Sequence, residues 1–337
     1  MNEINVKDFI REAGRRLSDK NARSMALLHT GVTVGFALLV TVLQYVLELG
    51  IGNTSGLSGM GTRSILQTIQ TVAQWANMIL APFWNLGFIY VAMLWARDQY
   101  ARKEDLLTGF HRISPCIGLM LLRTVLAIAA VIISINLSST IYMMTPASQP
   151  IADLAAEMNM DVEALRTYLN TMDGPKTIEL LRSMIPMFVI SAVLSAVLLI
   201  PVLYRFRLAE YVILNQKGVR ALPAALISAM LMRRRCWQLF KLDLRLWWYY
   251  GLKTLCLLLC YLDMLLPTVG IAMPFEGTGA FFATYILYLA ALLVVETAFR
   301  PRVETAYAGV YEAFVAMGPV QKKQVPAKPE DLPWEEQ

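Results

Sequence analysis

The chain has 337 residues, of which 57% are hydrophobic and only 16% are charged, and its formal net charge is +5. Soluble domains usually carry about 25% charged residues, so this composition excludes an ordinary soluble protein and indicates one embedded in a membrane. A basic charge would suggest nucleic acid in a soluble chain. Here the membrane pattern accounts for it, and no nucleic-acid partner is predicted.

Six apolar stretches are long enough to cross a bilayer core, which takes about 20 helical residues. Each is predicted to be a helix, because backbone exposed to lipid must satisfy its hydrogen bonds internally. The predicted fold class is all-α, a polytopic membrane protein whose six transmembrane helices form one domain over residues 24–316. Gly31 and Gly35 predict a close-packing face in the first helix. The spans are placed at residues 25–47, 75–96, 117–143, 185–204, 247–266 and 280–299.

Basic residues alternate between the segments that connect these stretches. Of the 30 Lys and Arg residues, 24 fall in the N-terminal segment, the second-to-third link, the fourth-to-fifth link and the segment after the sixth stretch. Basic segments are retained on the cytoplasmic side of a membrane. The pattern therefore predicts that the N-terminus and the C-terminus are both cytoplasmic.

The predicted cytoplasmic segments resemble amphipathic helices at a membrane surface. Residues 4–23 place Phe9, Ile10 and Leu17 on one face and basic residues on the other, which predicts an interfacial helix within the cytoplasmic segment 1–23. Basic segments also follow spans two, four and six, a layout of three helical hairpins that each precede a basic helix. Because such segments attract anionic headgroups, membrane lipids, anionic at this face, are the predicted partners. A protein partner or a second copy of the chain is the alternative.

The predicted outer segments have a different composition. Residues 48–63 are rich in Gly and Ser, which predicts a flexible loop. Residues 145–183 carry six acidic residues against three basic ones. They contain two short predicted helices, and a solvated connector is favoured over a lid above an outer cavity. The cytoplasmic tail 317–337 has mixed charge and little to bury, so it is predicted to be disordered.

No enzyme site assembles from the sequence. Residues 56–59, GLSG, match the G-x-S-G pattern of rhomboid-type proteases. The two histidines, His29 and His111, are however predicted on the opposite side of the membrane, out of reach of Ser58. The chain has no H-E-x-x-H motif, no close His/Cys cluster and no nucleotide-binding glycine pattern. The sequence therefore predicts no catalytic residue, no metal and no other cofactor.

Ionisable groups in the predicted spans are the remaining candidates, since burying a charge costs several kcal/mol unless it is paired or hydrated. Arg123 is expected either to reach the inner headgroups or to face a polar cavity. Glu296 precedes Arg300 by four residues, a spacing that allows an ion pair on one helix face. The candidates for structural ion pairs or a polar path are Arg123, Arg207, Glu210, Asp263, Glu296 and Arg300.

Residues 228–251, SAMLMRRRCWQLFKLDLRLWWYYG, form the most distinctive segment of the chain. The segment resembles the signature S-x-x-L-M-x-G-x-x-x-x-L-F-x-L-D-L-S-F-I-x-W of bacterial membrane proteins catalogued as domain of unknown function 975. The matching residues are Ser228, Met232, Leu239, Phe240, Leu242, Asp243, Leu244 and Trp248. Arg234 replaces the usual glycine, so the chain resembles a divergent member. The resemblance implies a six-span bundle in the bacterial cytoplasmic (inner) membrane and no established activity.

Asp243 lies between two basic residues at the predicted start of the fifth span. It is expected either to cap that helix, which contributes about 1 kcal/mol, or to act as a functional carboxylate. The structural role is favoured because the surrounding leucines already form an apolar face.

The leading predicted function is a non-enzymatic membrane scaffold or accessory subunit that binds anionic lipid or a partner at its basic cytoplasmic face. The alternative is a small-molecule or lipid transporter with a polar path between the helices. Kinks predicted at Pro82 and Pro201, together with the charges of Arg123 and Glu296, favour transport. A water-accessible polar cavity around those charges would favour the transporter, and a dry interior would favour the scaffold.

Overall fold

The structure is a computed structural model that describes residues 6–17, 21–52, 57–150, 153, 174–216, 218–262 and 278–318. Within these ranges the chain is helical and contains no strand, which confirms the all-α class. The chain is a polytopic membrane protein by the length and composition of its helices. Among the described residues, five segments are long and apolar enough to cross a membrane: Ala22–Leu43, Gln67–Ala96, Lys103–Met143, Arg182–Asn215 and Gly279–Ala316.

The helices are numbered in chain order. They are α1 (Val6–Arg16), α2 (Ala22–Gly52), α3 (Leu57–Ala96), α4 (Ile113–Met143), α5 (Gly174–Phe206), α6 (Ala209–Asn215), α7 (Ala221–Met232), α8 (Cys236–Arg245), α9 (Trp247–Leu259) and α10 (Thr278–Ala316). A 3-10 helix, Lys103–Arg112, joins α3 to α4, and a shorter one, Pro146–Ser148, follows α4.

The flexible loop expected at residues 48–63 is largely helical. Helix α2 continues to Gly52 and α3 begins at Leu57, so the prediction is wrong for all but residues 53–56, which lie outside the described residues. Glycine costs only about 1 kcal/mol in a helix, and the apolar flanks extend the helices through this segment. The helices predicted within 153–172, apart from residue 153, and the tail beyond Gly318 also lie outside the described residues.

The last two predicted spans differ from their expected bounds. Helix α9 ends at Leu259 after 13 residues, about 20 Å at 1.5 Å per residue, which is short of a hydrocarbon core about 30 Å thick. Residues 263–277 lie outside the described residues, so the span at 247–266 stays a prediction. Helix α10, by contrast, continues past residue 299 and through Pro301 to Ala316.

The described chain divides into two compact units. The first is Met1–Ile117 with Leu208–Gln337, and the second is Gly118–Arg207. In the second unit α4 and α5 leave apolar side chains uncovered: Val125 is 61% exposed and Val197 is 62% exposed. Such faces suit the hydrocarbon of a bilayer, where an apolar side chain is as well solvated as in a protein core.

The first unit is built around α10, on which α1, α2, α3 and α9 all pack. Its core contains large side chains from α3 and from the end of α10, among them Phe88, Trp95, Tyr311 and Phe314, each at most 1% exposed. The basic segment expected as a cytoplasmic surface helix after span six is therefore part of this core. The reason is the run of small and aromatic residues between Val303 and Phe314, a stretch in which eight of the twelve residues are buried.

Helix α1 is also held by protein contacts. Arg302 of α10 donates from Nε to the carbonyl oxygen of Ile10 at 3.2 Å. Arg16 donates to the carbonyl oxygen of Ala96, the last residue of α3, where a helix leaves carbonyls without an intrahelical partner. The interfacial helix predicted at residues 4–23 is thus docked on the first unit.

Two glycines allow the 3-10 helix to approach the backbone of α3. A Cβ atom at Gly87 would overlap the carbonyl oxygen of Leu106, and one at Gly109 would overlap the carbonyl oxygen of Phe83. Only glycine fits at these two positions, because the obstructing atoms belong to the backbone. At Gly31 and Gly35 a Cβ meets no described atom within 4 Å, so the close-packing face predicted there makes no contact among the described residues and stays a prediction.

Candidate functional site

A cluster of charged side chains lies in the first unit where α2, α3, α9 and α10 meet. Its central carboxylate is Glu296 of α10, a residue that is only 5% exposed. Lys253 Nζ of α9 lies 2.7 Å from Glu296 Oε1. The Tyr249 hydroxyl, one turn earlier on α9, donates to Glu296 Oε2 at 3.1 Å. These partners are what a buried carboxylate needs, because an unpaired charge in this position would be strongly destabilising.

Arg300 lies one turn after Glu296 on α10 and extends the cluster to α3. Its guanidinium is 3.5 Å from Glu296 Oε2 and 3.8 Å from Glu304 Oε1, so the ion pair expected between Glu296 and Arg300 is formed. Arg300 also donates to Asn85 Oδ1 at 2.9 Å. Its guanidinium carbon lies 4.8 Å from the centre of the Phe88 ring, a distance at which a cation and an aromatic face attract each other.

His29 of α2 is the fully buried member of the cluster. Arg300 Nη1 lies 3.2 Å from His29 Nδ1, and Nδ1 must accept this hydrogen bond because a guanidinium has donors only. The ring proton is therefore on Nε2, which donates to the Trp84 carbonyl oxygen at 3.2 Å. The Trp84 indole donates in return to the His29 carbonyl oxygen at 2.9 Å. His29 is thus held as a neutral imidazole in a single tautomer.

The cluster is balanced in charge and graded in exposure. Two cations, Lys253 and Arg300, face two carboxylates, Glu296 and Glu304. Side-chain exposure falls from 41% at Lys253 to 22% at Glu304, 15% at Arg300 and 6% at Glu296. Because Glu296 is engaged by three partners, it is not poised to take a proton from a substrate. The arrangement links four helices, and among its charged side chains Lys253 and Glu304 are the two most exposed.

No family model matches the chain, and no curated protein or solved structure is significantly similar to it. In the part of the chain that the structure describes, no three His, Cys, Asp or Glu side chains are grouped to hold a metal ion. The resemblance carried by residues 228–251 stays a prediction.

Arg123 and Arg207 belong to the second unit. Arg123 is half-buried and donates from Nη2 to the carbonyl oxygen of Phe206 at 2.7 Å. Phe206 is the last residue of α5, so Arg123 satisfies a carbonyl at a helix end, where the helix dipole also favours a cation. The Arg207 guanidinium carbon lies 5.9 Å from the centre of the Tyr204 ring. The sequence predicts that Arg123 reaches the inner headgroups or faces a polar cavity, and neither prediction includes a contact with a helix end.

The remaining two candidates are placed differently. Glu210 is half-buried in the first turn of α6, in the first unit, where a carboxylate is favoured by the helix dipole. Asp263 lies outside the described residues. Within the described part of the first unit, Glu296 and Arg300 are the predicted pair that the structure brings into contact.

Asp243 makes a tertiary contact in place of the expected helix cap. Its Oδ1 atom accepts a hydrogen bond from the Tyr307 hydroxyl, and the Tyr307 and Tyr250 hydroxyl oxygens are 2.8 Å apart. The N-cap position of α9 is Leu246, while Asp243 lies in the last turn of α8. The break falls at Leu246 because this side chain, 1% exposed, is anchored in the core. Asp243 thus ties α8 to α10.

The motif residues divide into a buried and an exposed set. The fully buried residues are Ser228, Met232, Leu239 and Leu242. On the other side Phe240 is 38% exposed and Leu244 is 60% exposed. Trp248 is half-buried and meets the Phe299 ring edge-on, with centroids 4.9 Å apart. Half of the motif therefore serves packing, and Phe240 and Leu244 are open to the surroundings.

Several members of the charged cluster are not evident from the sequence. The sequence places Lys253 within a predicted span. Its pairing with Glu296 becomes visible in the structure, where α9 packs on α10. A signal exists, since one Lys and one Glu in neighbouring apolar segments each need a partner. His29 and Trp84 lie 55 residues apart, and no spacing rule links them.

Arg235 joins the start of α8 to the end of α10. Its Nη1 donates to the Phe314 carbonyl oxygen at 3.1 Å, and its Nη2 donates to the Gly318 carbonyl oxygen at 2.8 Å. Burial lowers the pKa of the Arg235 guanidinium from its ordinary value, yet an arginine keeps its charge. Arg235 therefore caps carbonyls at the C-terminus of α10, where a cation is favoured.

Replacing Arg235 by Gln is expected to lower the free energy of unfolding by about 2 kcal/mol, because hydrogen bonds to a charged group contribute about 1.5–3 kcal/mol. Arg234→Gln is the matched control, since Arg234 is exposed and surface substitutions change stability by less than about 0.5 kcal/mol. Thermal unfolding of both variants in one detergent measures the difference. Equal midpoints would show that Arg235 does not hold the end of α10.

Proposed function

We propose that this chain is a non-catalytic membrane scaffold or accessory subunit that binds anionic lipid headgroups at its predicted cytoplasmic face. The observation that carries the proposal is the exposed side of α8. We call this the α8 surface and define it as Trp237, Phe240 and Leu244 with the neighbouring Arg233, Arg234 and Arg245.

Helix α8 has two different faces. Leu239 and Leu242 are fully buried against the first unit. Trp237 is 62% exposed, Phe240 38% and Leu244 60%, and their spacing places them on one side of the helix. The Trp237 and Phe240 rings stack with centroids 5.1 Å apart. The exposed side therefore presents a continuous aromatic and aliphatic strip.

Three exposed arginines, Arg233, Arg234 and Arg245, flank this strip at the two ends of α8. A helix with aromatic and aliphatic side chains beside basic ones is the type that lies in the interface of a membrane. Each basic residue near an anionic surface contributes about 1 kcal/mol of attraction. The composition of the α8 surface thus matches an anionic bilayer surface.

The contacts of the charged cluster count against transport. Glu296 is in contact with Lys253, Tyr249 and Arg300. None of the four charged side chains of the cluster lines either of the two cavities described here. One cavity, of about 230 Å³, is apolar and lies between α2, α3 and the 3-10 helix. The other, of about 370 Å³, lies between α1, α3 and α10. A carboxylate already engaged by three side chains favours the scaffold over a polar path.

Lipid selection tests the proposal. The protein is placed in nanodiscs of equal phosphatidylglycerol and phosphatidylcholine, and native mass spectrometry counts the lipids that it retains. Wild type is expected to retain phosphatidylglycerol preferentially. The Arg233→Gln/Arg234→Gln/Arg245→Gln variant is expected to lose that preference by about tenfold, since three basic residues contribute up to about 3 kcal/mol and tenfold corresponds to 1.4 kcal/mol.

The matched control is Arg23→Gln/Arg102→Gln/Lys103→Gln, which removes three exposed basic residues outside the α8 surface. This variant is expected to keep most of the preference. The preference should also weaken as salt is raised, because exposed charges are screened. An unchanged preference in the first variant, or an equal loss in both variants, would contradict the assignment of headgroup binding to the α8 surface.

A further inference from the structure

The apolar cavity of the first unit is a groove between three elements. Helix α2 contributes Val32 and Phe36, α3 contributes Ala81 and Trp84, and the 3-10 helix contributes Phe110, within a volume of about 230 Å³. One of the lining residues, Trp84, exchanges hydrogen bonds with His29. The groove therefore adjoins the charged cluster without containing any of its charges.

The groove lies between helices that can cross a membrane. Its α2 and α3 residues fall within Ala22–Leu43 and Gln67–Ala96, two of the segments that can cross a bilayer. Its mouth is formed by Val32, Leu80 and Leu107, which are 49%, 44% and 47% exposed. In the hydrocarbon core of a bilayer, the molecules that meet such exposed apolar side chains are the acyl chains of lipids.

Water is a poor occupant of this groove. The Thr33 hydroxyl at its edge already donates to the His29 carbonyl oxygen at 3.0 Å, which leaves the Asn77 amide as the principal polar group in the lining. A buried water needs two to four polar partners, and apolar cavities remain dry. An apolar cavity of about 150 Å³ holds a benzene molecule, so the larger groove has room for a stretch of hydrocarbon chain.

We propose that the groove binds one acyl chain of a membrane phospholipid. The partly exposed apolar lining and its position between two helices that can cross a membrane fit a hydrocarbon chain. The site recognises the chain and not the headgroup, so it is separate from the α8 surface and goes beyond the proposed headgroup binding. The bound chain packs on the Trp84 indole and supports its contact with His29.

Photo-crosslinking with a phosphatidylcholine that carries a diazirine in its acyl chain tests this site. The protein is loaded in nanodiscs, transferred to lipid-free detergent, irradiated and mapped by peptide mass spectrometry. Crosslinks at Val32, Leu80 and Leu107 are expected to persist after the transfer. Crosslinks at Val125 and Val197, which lie on the uncovered faces of α4 and α5, are expected to disappear as loosely held lipid is removed.

A filling substitution provides the second arm. Ala81→Phe occupies the groove and is expected to lower the persistent crosslinks by about tenfold, whereas Ala129→Phe, at an exposed alanine of α4, is expected to leave them unchanged. Loss of the wild-type crosslinks in parallel with those at Val125 and Val197 would overturn the proposal even if Ala81→Phe fails to fold. Persistence of the crosslinks in a folded Ala81→Phe variant would also overturn it. Phosphatidylcholine has no net charge, so neither outcome depends on headgroup selection at the α8 surface.

Discussion

Glu296→Gln is expected to lower the free energy of unfolding by about 3 kcal/mol. Breaking a buried ion pair by removing one partner costs about 3–5 kcal/mol, because the other charge is left without compensation. The lower end applies here, since Lys253 is 41% exposed and can turn toward water or headgroups. Arg300 cannot do so as easily, because its side chain is 15% exposed and the carboxylate left near it among the described residues, that of Glu304, is 3.8 Å away.

Glu304→Gln is the matched control for this prediction. It removes the same charge from the same helix, but Glu304 is more exposed and more distant from Arg300, so a loss of less than about 1 kcal/mol is expected. A Glu296→Gln/Lys253→Met double variant is expected to lose less free energy of unfolding than the two single variants lose in sum, since it leaves no unpaired lysine. Unfolding is followed by circular dichroism in one detergent. Equal losses for Glu296→Gln and Glu304→Gln would contradict a central role for Glu296.

Gly109→Ala is expected to destabilise the first unit by about 3 kcal/mol. The added methyl group would overlap the carbonyl oxygen of Phe83, and overpacking of a well-packed site costs about 1–3 kcal/mol and occasionally more. The upper end applies because the obstruction is backbone of α3, which cannot rotate away as a side chain can. Relief requires the 3-10 helix to move off α3, which also opens the groove beside Phe110.

Gly35→Ala separates this steric effect from the ordinary effect of replacing a glycine. Gly35 lies within α2, and a Cβ there meets no described atom within 4 Å. The substitution is therefore expected to stabilise the helix by about 0.5–1 kcal/mol, the usual advantage of alanine over glycine. The two Gly→Ala changes should shift the thermal midpoint in opposite directions. A shift in the same direction for both would show that the close approach at Gly109 is not needed.

The all-α class follows from the sequence because it depends on local composition. Any apolar stretch of about 20 residues must satisfy its own backbone in lipid, whatever its neighbours are. The Glu296–Arg300 pair is predictable for the same reason, since both residues lie on one helix face. The loop at 48–63 is a failure of the same local reasoning, because glycines and serines weaken a helix by too little to end it.

The tertiary contacts of the site do not follow from the sequence. Lys253 and Glu296 come from different helices, and their pairing depends on which face of α9 packs on α10. His29 is held by hydrogen bonds to Trp84 and Arg300, and these form because α2, α3 and α10 pack together. Asp243 contacts Tyr307 and does not cap α9, because the buried Leu246 sets the position of the helix break. Pairwise spacing along the chain carries none of this information.

Helix α10 has 39 residues and continues through Pro301, a position where the backbone lacks one hydrogen bond and a helix usually bends. The ion pairs of Arg300 with Glu296 and Glu304 run along the helix on both sides of that proline. They bridge the turn before and the turn after the missing hydrogen bond, in a helix about 58 Å long at 1.5 Å per residue. A load applied at its C-terminal end, where Arg235 binds the last carbonyls, would therefore be passed along one continuous helix to the segment that can cross a membrane.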